Sequence, residues 1–432
     1  MTPNALNGHN LNGRILNSRA LNGHGQVASQ QGVHHHHHHH HSHSATECVS
    51  SPVPDLWITG IGSQYPPYLI PPEKFVNYAK RFHDVEKPVL ARLLKLTLNS
   101  GIDTRASSMD FETGFGCQAE VPTIDQLDTR FRQVGVDLTV QACRKALRDW
   151  GGDAEGITHV IGVTVGTVSL PGYDYLVARR LGLGYHVENM FLNGVGCAGS
   201  VSLMRVAANT AIAATARKRP ARILCFASEV CTMYLRHQYA EAEAASDLEN
   251  MDIAGAIFGD AASAFVLCNE YGLEDPDQAK FQLLDWERMT VPETIHHMGA
   301  MVKTTGFTSI ISKQVPELTK QAVRPLWDRL LPSYREKVGL PGLDISDFDW
   351  ALHPGGESII NNVKDTMGLT DKQIRATRQI YRTRGNTGSP TAICVLDLLR
   401  NMGVGSEHVV ALSFGPGLAS EMAFLRRYRV EE

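Results

Sequence analysis

The sequence predicts an α/β protein made of two duplicated βαβ halves, packed as a five-layered αβαβα sandwich. Apolar runs typical of buried strands alternate with helical stretches, which is the pattern of parallel βαβ units. A constant offset of 189 residues (386 minus 197, and 353 minus 164) also superposes segments of the two halves: Thr164 falls on His353, Cys197 on Asn386 and Leu224 on Ser413. An internal repeat of this kind indicates a duplicated core.

The elements follow from local patterns, in chain order. Thr158 to Val165 is a continuous apolar run rich in β-branched residues, typical of a strand buried on both faces. The first half is predicted to contain strands at 56–62, 158–165, 187–192 and 222–228, with helical stretches near 72–98, 125–150, 172–182 and 197–217. The second half is predicted to contain strands at 347–352, 408–414 and 418–426, with helices near 356–368 and 389–402.

Three segments divide the chain. Residues 1–52 are predicted to be a flexible head, because they are rich in Asn, Gly, Ser and His and offer little apolar surface. The head includes a tract of eight histidines, His34 to His41, which is either native or a purification tag. Residues 53–272 form the half that carries the candidate nucleophile, and residues 273–432 form the half that carries His353 and Asn386.

Composition excludes several function classes. With 43% hydrophobic and 20% charged residues, the 432-residue chain resembles an ordinary globular protein. Its net charge of −4 gives no general attraction to nucleic acid or to anionic membranes. We expect no membrane span, because no apolar run reaches about 18 residues. Eight cysteines without a CxxC pair, and no secretory signal, predict reduced thiols and a cytoplasmic location.

Three residues form a candidate catalytic group. Cys197, in Gly194-Val-Gly-Cys-Ala-Gly-Ser200, lies where a strand ends and a helix begins, so the helix dipole should lower the pKa of its thiol. His353 ends a buried strand and precedes Pro-Gly-Gly, at the sheet edge where ligands bind in open α/β sheets. Asn386 alone could be an N-cap for the helix near residue 389. The repeat, however, brings Cys197 and Asn386 to equivalent edges that face one pocket.

The chemistry of this group narrows the function. A thiolate beside an imidazole suits acyl transfer through a covalent thioester. Two neutral donors, an imidazole N–H and a carboxamide, can stabilise an enolate, whereas a carboxylate in place of the Asn would repel it. Decarboxylation of a malonyl thioester produces such an enolate without a metal. The three residues therefore predict decarboxylative Claisen condensation.

At these residues the chain resembles the type III polyketide synthases, the chalcone synthase-like enzymes of the thiolase superfamily. The resemblance covers residues 55 to 428 and is carried by Gly-Cys-Ala at Cys197, His353-Pro-Gly-Gly356, Gly385-Asn386 and Phe414-Gly-Pro-Gly417. It implies a thiolase-like fold and a homodimer. It also implies free acyl-CoA and malonyl-CoA as substrates, with no cofactor, metal or acyl carrier protein.

The resemblance also implies roles for single residues. Cys197 would carry the acyl group, while His353 and Asn386 would bind the malonyl thioester and stabilise its enolate. The residues that would contact substrate are Phe258 and Ser309 as gatekeepers, Tyr234, Gly388 and Phe414 in the cavity, and Leu170 reaching into the partner's cavity. Arg92 and Lys95 would meet the CoA phosphates as point charges, although without the resemblance their pattern favours an exposed helix face.

Two departures point to the fungal branch of the family. Ser413 replaces the first glycine of the family's Gly-Phe-Gly-Pro-Gly pattern, and the small Ser309 stands where an aromatic gatekeeper is usual, with Phe307 close by. The resemblance then implies a medium or long fatty acyl starter and an alkylpyrone, alkylresorcinol or resorcylic acid product. The alternatives are a single-condensation ketoacyl synthase III or hydroxymethylglutaryl-CoA synthase, a cysteine hydrolase, and an inactive acyl-CoA-binding paralogue.

Overall fold

The structure is a computed structural model that describes residues 54–403 and 405–428. The predicted head and its histidine tract lie outside the described residues. The strands are β1 Leu56–Gln64, β2 Tyr68–Ile70, β3 Arg105–Ser107, β4 His159–Val163, β5 Glu188–Leu192, β6 Arg222–Val230, β7 Asp260–Asn269, β8 Phe281–Thr290, β9 Met298–Lys303, β10 Gly306–Ile311, β11 Phe348–Leu352, β12 His408–Gly415 and β13 Ala419–Arg427. The α-helices are α1 Pro72–Lys80, α2 Pro88–Leu98, α3 Ile124–Trp150, α4 Tyr173–Leu181, α5 Gly199–Ala216, α6 Leu235–Ala244, α7 Ala254–Ile257, α8 Val315–Val338, α9 Glu357–Met367, α10 Arg375–Arg384 and α11 Thr391–Arg400.

The two halves of the sheet have the same strand pattern. In the first half β4 pairs with β6 in parallel, and β6 pairs with β7 antiparallel. In the second half β11 pairs with β12 in parallel, and β12 pairs with β13 antiparallel. A short antiparallel pairing of β1 with β8, at Trp57–Gln282 and Ile58–Phe281, joins them into one sheet of order β11-β12-β13-β8-β1-β7-β6-β4-β5.

Side-chain alternation along the strands defines the layers. In β6, Ile223 and Cys225 belong to one buried cluster and Leu224 and Phe226 to another, because successive side chains point to opposite faces. Helices α5 and α11 contact strands of both halves and form the central layer, whereas α3 covers β1, β6 and β7 and α8 covers β8 and β13. The predicted thiolase-like αβαβα fold is confirmed.

Two details of the sequence prediction are wrong. The helical stretch 72–98 is two helices, α1 and α2, because the chain turns before Pro88, which begins α2. The offset of 189 residues also fails for the third pair of segments, which had placed Leu224 on Ser413. Leu224 pairs with Val160, whereas the partner of Asp349 is Val409, so Val409 rather than Ser413 is equivalent to Leu224. Four fewer residues separate the paired strands in the second half.

Within the described ranges, no helix combines the length and the hydrophobicity that a membrane crossing requires.

Candidate active site

Cys197 lies in a 3₁₀ turn, Gly196–Ala198, that connects β5 to the start of α5. The Phe414-Gly-Pro-Gly417 segment packs directly behind this turn. A Cβ on Gly415 would lie 2.5 Å from the Val195 carbonyl oxygen and 2.7 Å from Ala198 Cβ. Only glycine therefore fits at 415, and the motif near the C-terminus shapes the turn that presents the thiol.

His353 follows the last residue of β11 and is 1% exposed. Its backbone N–H donates to the Leu412 carbonyl at 2.8 Å, which fixes the residue at the end of the sheet. Among the described residues, neither ring nitrogen has a hydrogen-bond partner. Burial lowers the pKa of His353 to about 3, so the ring is neutral at physiological pH. Buried polar atoms without partners are costly and usually mark a site that a ligand completes.

Asn386 is held by its backbone and points its amide towards the other two residues. Its N–H donates to the Ile257 carbonyl at 3.0 Å, and its carbonyl accepts from Gly259 N–H at 2.8 Å. Its Nδ2 donates to the Gly355 carbonyl at 3.4 Å. A Cβ on Gly355 would lie 3.7 Å from His353 Nε2, so Asn386 and His353 are close neighbours.

The N-cap alternative for Asn386 is wrong. Helix α11 begins at Thr391 with Pro390 as its N-cap, and Asn386 Oδ1 instead accepts from Gly388 N–H at 2.9 Å. The Asn386 side chain lies beside the Cys197 thiol, whose pKa it lowers. The three candidate catalytic residues are thus brought together from both halves of the chain.

The expectation of a lowered thiol pKa is wrong for the free protein. Burial, and after it the negative charge of Glu229, raise the pKa of Cys197 to about 12, against the smaller effect of Asn386. The helix dipole does not offset this desolvation. In the free protein the thiol and the imidazole are therefore both neutral.

Glu229 is a site residue that the sequence analysis missed. It is buried at the end of β6, and burial raises its pKa to about 7. Its carboxylate accepts hydrogen bonds from Ser389 Oγ at 2.6 Å, Thr164 Oγ1 at 3.2 Å and Val165 N–H at 3.1 Å. A signal was present in the sequence, because a single acidic residue ends the long apolar run of β6.

Gly388 and Tyr234, two of the predicted cavity residues, both lie beside Glu229. A Cβ on Gly388, where φ is +71°, would lie 2.8 Å from Glu229 Cγ, so only glycine fits there without a shift. Tyr234 is buried beside Glu229. Burial is the main cause that raises the pKa of the Tyr234 hydroxyl, and the negative charge of Glu229 raises it further. Within the described part of the chain, the Tyr234 hydroxyl has no hydrogen-bond partner.

The two candidate gatekeepers lie on different elements. Phe258 follows α7 and forms an isolated parallel bridge with Asn386, so it is adjacent to the catalytic group. Ser309 lies on β10, on the same face as Phe307, whose ring packs edge-on against Tyr234 at 5.1 Å between centroids. Phe307 therefore connects the hairpin of β9 and β10 to Tyr234.

The remaining candidates are not placed at the thiol by any contact within the described residues. Leu170 is 88% exposed, next to a cis bond to Pro171, on a surface loop. Arg92 and Lys95 lie on the exposed face of α2. Phe414 is buried in the larger core cluster. Their contacts with substrate stay predictions.

The described residues contain no group of three or more His, Cys, Asp or Glu side chains that could hold a metal ion.

Two family models match the chain in succession. The N-terminal domain of chalcone and stilbene synthases matches residues 54–270, and the C-terminal domain of the same enzymes matches residues 282–428.

Curated proteins and solved structures agree with these matches. The type III polyketide synthase pspB of Penicillium soppii is 50% identical over 393 residues, covering 88% of this chain and 98% of that protein. The acylalkylpyrone synthase csyB of Aspergillus oryzae is 32% identical over 382 residues, covering 86% and 94%. The structure of a type III pentaketide synthase from Neurospora crassa is 37% identical, with a TM-score of 0.83 and coverage of 86% and 99%.

Proposed function

The chain belongs to the chalcone and stilbene synthase family, in the fungal branch of the type III polyketide synthases, and from this we propose that it extends a medium or long fatty acyl starter into an alkylpyrone, alkylresorcinol or resorcylic acid. The family condenses malonyl-CoA by decarboxylation, using CoA thioesters without a cofactor or an acyl carrier protein. The observation that carries the proposal is the grouping of the Cys197 thiol, the unpartnered His353 ring and the Asn386 amide.

Loading of the starter needs a proton acceptor at the sulfur, because the pKa of Cys197 lies near 12. In our proposal the neutral imidazole of His353 accepts the thiol proton as the sulfur attacks the acyl-CoA carbonyl. The S–C bond to Cys197 forms, the bond to CoA breaks, and His353 returns the proton to the leaving CoA sulfur. The resting pair is thus neutral and acquires charge only during acyl transfer.

Condensation then uses the two donors. Malonyl-CoA loses carbon dioxide, and the resulting enolate oxygen accepts hydrogen bonds from a His353 ring N–H and from Asn386 Nδ2–H. The enolate carbon attacks the thioester carbonyl on Cys197, and the Cys197 thiolate leaves. Because the ring is neutral, it can donate one N–H without the cost of burying a charge.

The small side chain of Ser309 favours a long aliphatic starter, because it leaves room where an aromatic gatekeeper would narrow the cavity. The name of the relative from Aspergillus oryzae, an acylalkylpyrone synthase, agrees with this choice. Arg92 and Lys95, both exposed on α2, remain our candidates for the CoA phosphates.

We further propose a homodimer that uses the loop of Leu170. Leu170 and Val168 are 88% and 69% exposed, and exposed apolar side chains in one place often mark an interface. Asp128 accepts hydrogen bonds from Thr167 and Ser169, which holds the loop against α3. Light scattering of the wild-type protein and of Leu170→Asp tests this: a wild-type monomer contradicts the dimer, and a loss of dimer only in the variant supports the loop.

Product analysis tests the function. We expect that hexanoyl-CoA or lauroyl-CoA incubated with malonyl-CoA yields cyclised alkylpyrones or resorcinols, detected by mass spectrometry. Linear β-ketoacyl products alone would identify a single-condensation enzyme. CoA binding without an acyl adduct on Cys197 would identify an inactive paralogue. Peptide cleavage lost in Cys197→Ala would identify a cysteine hydrolase.

A further inference from the structure

The carboxylate of Asp252 bridges two elements that carry the candidate gatekeepers. One oxygen accepts the N–H of Ala254, the first residue of α7, at 2.8 Å. The other accepts the N–H of Ser309, in the middle of β10, also at 2.8 Å. Asp252 is thus the direct polar link from the start of α7 to Ser309.

The far end of α7 is fixed to the catalytic group. Helix α7 is a single turn, and its last carbonyl, that of Ile257, accepts the backbone N–H of Asn386 at 3.0 Å. Arg105 donates to the carbonyls of Gly255 and Phe258 at 2.9 and 3.1 Å, which holds the turn and the residue after it. The position of α7 relative to Asn386 is therefore set by several hydrogen bonds.

The hairpin of β9 and β10, which carries Ser309, is not part of the nine-stranded sheet. Strands β9 and β10 form their own two-stranded sheet, and no ladder in the described residues joins them to the nine-stranded sheet. The N–H of Ser309 points away from β9, because it bonds Asp252 rather than the facing Ala300. The hairpin depends on separate contacts such as that of His237 with Thr308, 3.2 Å away. The bond at Ser309 joins β10 directly to the carboxylate that also accepts the N–H at the start of α7, so it contributes to how close β10 lies to α7.

Burial raises the pKa of Asp252 to about 6. At neutral pH Asp252 is therefore mostly a carboxylate, and its two oxygens can each accept one of the N–H groups. Hydrogen bonds to a charged acceptor are stronger than those to a neutral one.

We propose that Asp252 is a positioning residue that selects the length of the starter acyl chain, by fixing the separation between Ser309 on β10 and Phe258 at the end of α7. The inference rests on the proposed function and adds a specificity determinant to it. Asp252 touches neither the thiol nor the imidazole in this scheme. Its effect reaches the substrate through the two gatekeepers, and its loss lets the hairpin move outward and widens the entrance.

The test compares Asp252→Asn and Asp252→Ala with the wild type on hexanoyl-CoA and lauroyl-CoA at saturating malonyl-CoA. Asp247→Asn is the matched control, because Asp247 belongs to the same loop but is exposed and bonds only Glu249 and Asn250. We expect the ratio of kcat/KM for lauroyl-CoA to that for hexanoyl-CoA to rise in both Asp252 variants, by about tenfold in Asp252→Ala, the factor that roughly one methylene of fit contributes. Decarboxylation of malonyl-CoA without a starter should stay at the wild-type rate.

The same assay can overturn the inference. A ratio equal to that of the wild type, with or without a uniform loss of rate, would show that Asp252 is only structural, and a fall in the ratio would contradict the direction. If Asp252→Ala does not fold, the nearly isosteric Asp252→Asn decides. A wild-type protein that makes no cyclised product would overturn the proposed function instead, so the two failures are distinguishable.

Discussion

The carboxylate of Glu229 accepts a 2.6 Å hydrogen bond from Ser389, although the two residues come from different halves of the chain. Ser389 follows Asn386 by three positions, and Glu229 contributes to the raised pKa of Cys197. The bond therefore links the end of β6, in the half that contains Cys197, to the loop that contains Asn386. It also places an ionisable group with a pKa of about 7 beside a thiol with a pKa of about 12.

Glu229→Gln should change how the stability of the protein depends on pH. Burial raises the pKa of Glu229 from 4.5 to about 7, so the stability it contributes is fully present below pH 4.5 and is lost as the pH rises through 7. Relative to the wild type, the variant should gain about 3 kcal/mol of unfolding free energy between pH 4.5 and pH 8, because a pKa that differs by one between the folded and unfolded states corresponds to about 1.4 kcal/mol. Urea denaturation at both pH values measures this, with Glu86→Gln, an exposed carboxylate, as the control. If the variant and the wild type differ in unfolding free energy by the same amount at both pH values, the raised pKa of Glu229 is contradicted.

Cys197→Ala should abolish starter loading and chain growth while leaving some decarboxylation of malonyl-CoA. In the proposed mechanism the sulfur carries the acyl thioester, whereas His353 and Asn386, which the substitution does not touch, stabilise the enolate. Intact mass spectrometry measures loading, and release of labelled carbon dioxide measures decarboxylation. Cys117→Ser, at a partly exposed cysteine, is the matched control. An acyl adduct that persists in Cys197→Ala would assign the nucleophile elsewhere.

Asn386→Ala should slow decarboxylation by about 10² to 10³, the loss typical of one oxyanion donor. The backbone bonds of Asn386 to Ile257 and Gly259 survive the substitution, so the loop should keep its course. Loading of Cys197 should fall less than decarboxylation, because the thiol and His353 remain. Asn401→Ala, an exposed asparagine that bonds only within its helix end, is the control. Equal losses in both steps would contradict this division of roles.

Two of the candidate catalytic residues could be predicted because they follow strands of the sheet: His353 comes directly after β11, and Cys197 lies in the turn after β5. Asn386 instead follows helix α10, so only the repeat pointed to it. A buried strand such as β4 or β11 is read from a continuous apolar run, and the residue that follows it must lie at the carboxyl edge of the sheet. The offset of 189 holds for β4 and β11, so Thr164 and His353 take equivalent places. Where the connections differ in length, as between β6 and β12, the repeat no longer predicts the register.

The elements that escaped prediction are those that tertiary contacts define. Helix α7 is one turn long and gains its hydrogen bonds from Asp252 at one end and Asn386 at the other. Helix α8 continues through Pro325 and Pro332, which would predict breaks, because buried side chains such as Trp327 pack it against the sheet. Glu229 gains its hydrogen bond from Ser389 only when the folded chain brings the two residues together. No local pattern contains these relationships.

Ser309→Phe should shorten the starters that the enzyme accepts. Ser309 shares its face of β10 with Phe307, whose ring packs on Tyr234, so a second ring at 309 would lie beside that pair and, in our proposal, narrow the cavity. The Ser309 N–H that donates to the Asp252 carboxylate belongs to the backbone, so this bond should survive. We expect kcat/KM for lauroyl-CoA to fall by at least about tenfold relative to hexanoyl-CoA, since each methylene that loses its place costs about 1–3 kcal/mol. Ile310→Phe places a ring on the opposite, exposed face of β10 and is the matched control. An unchanged preference for long chains would move the gate to Phe307, whose substitution by Ser should then widen the range of starters.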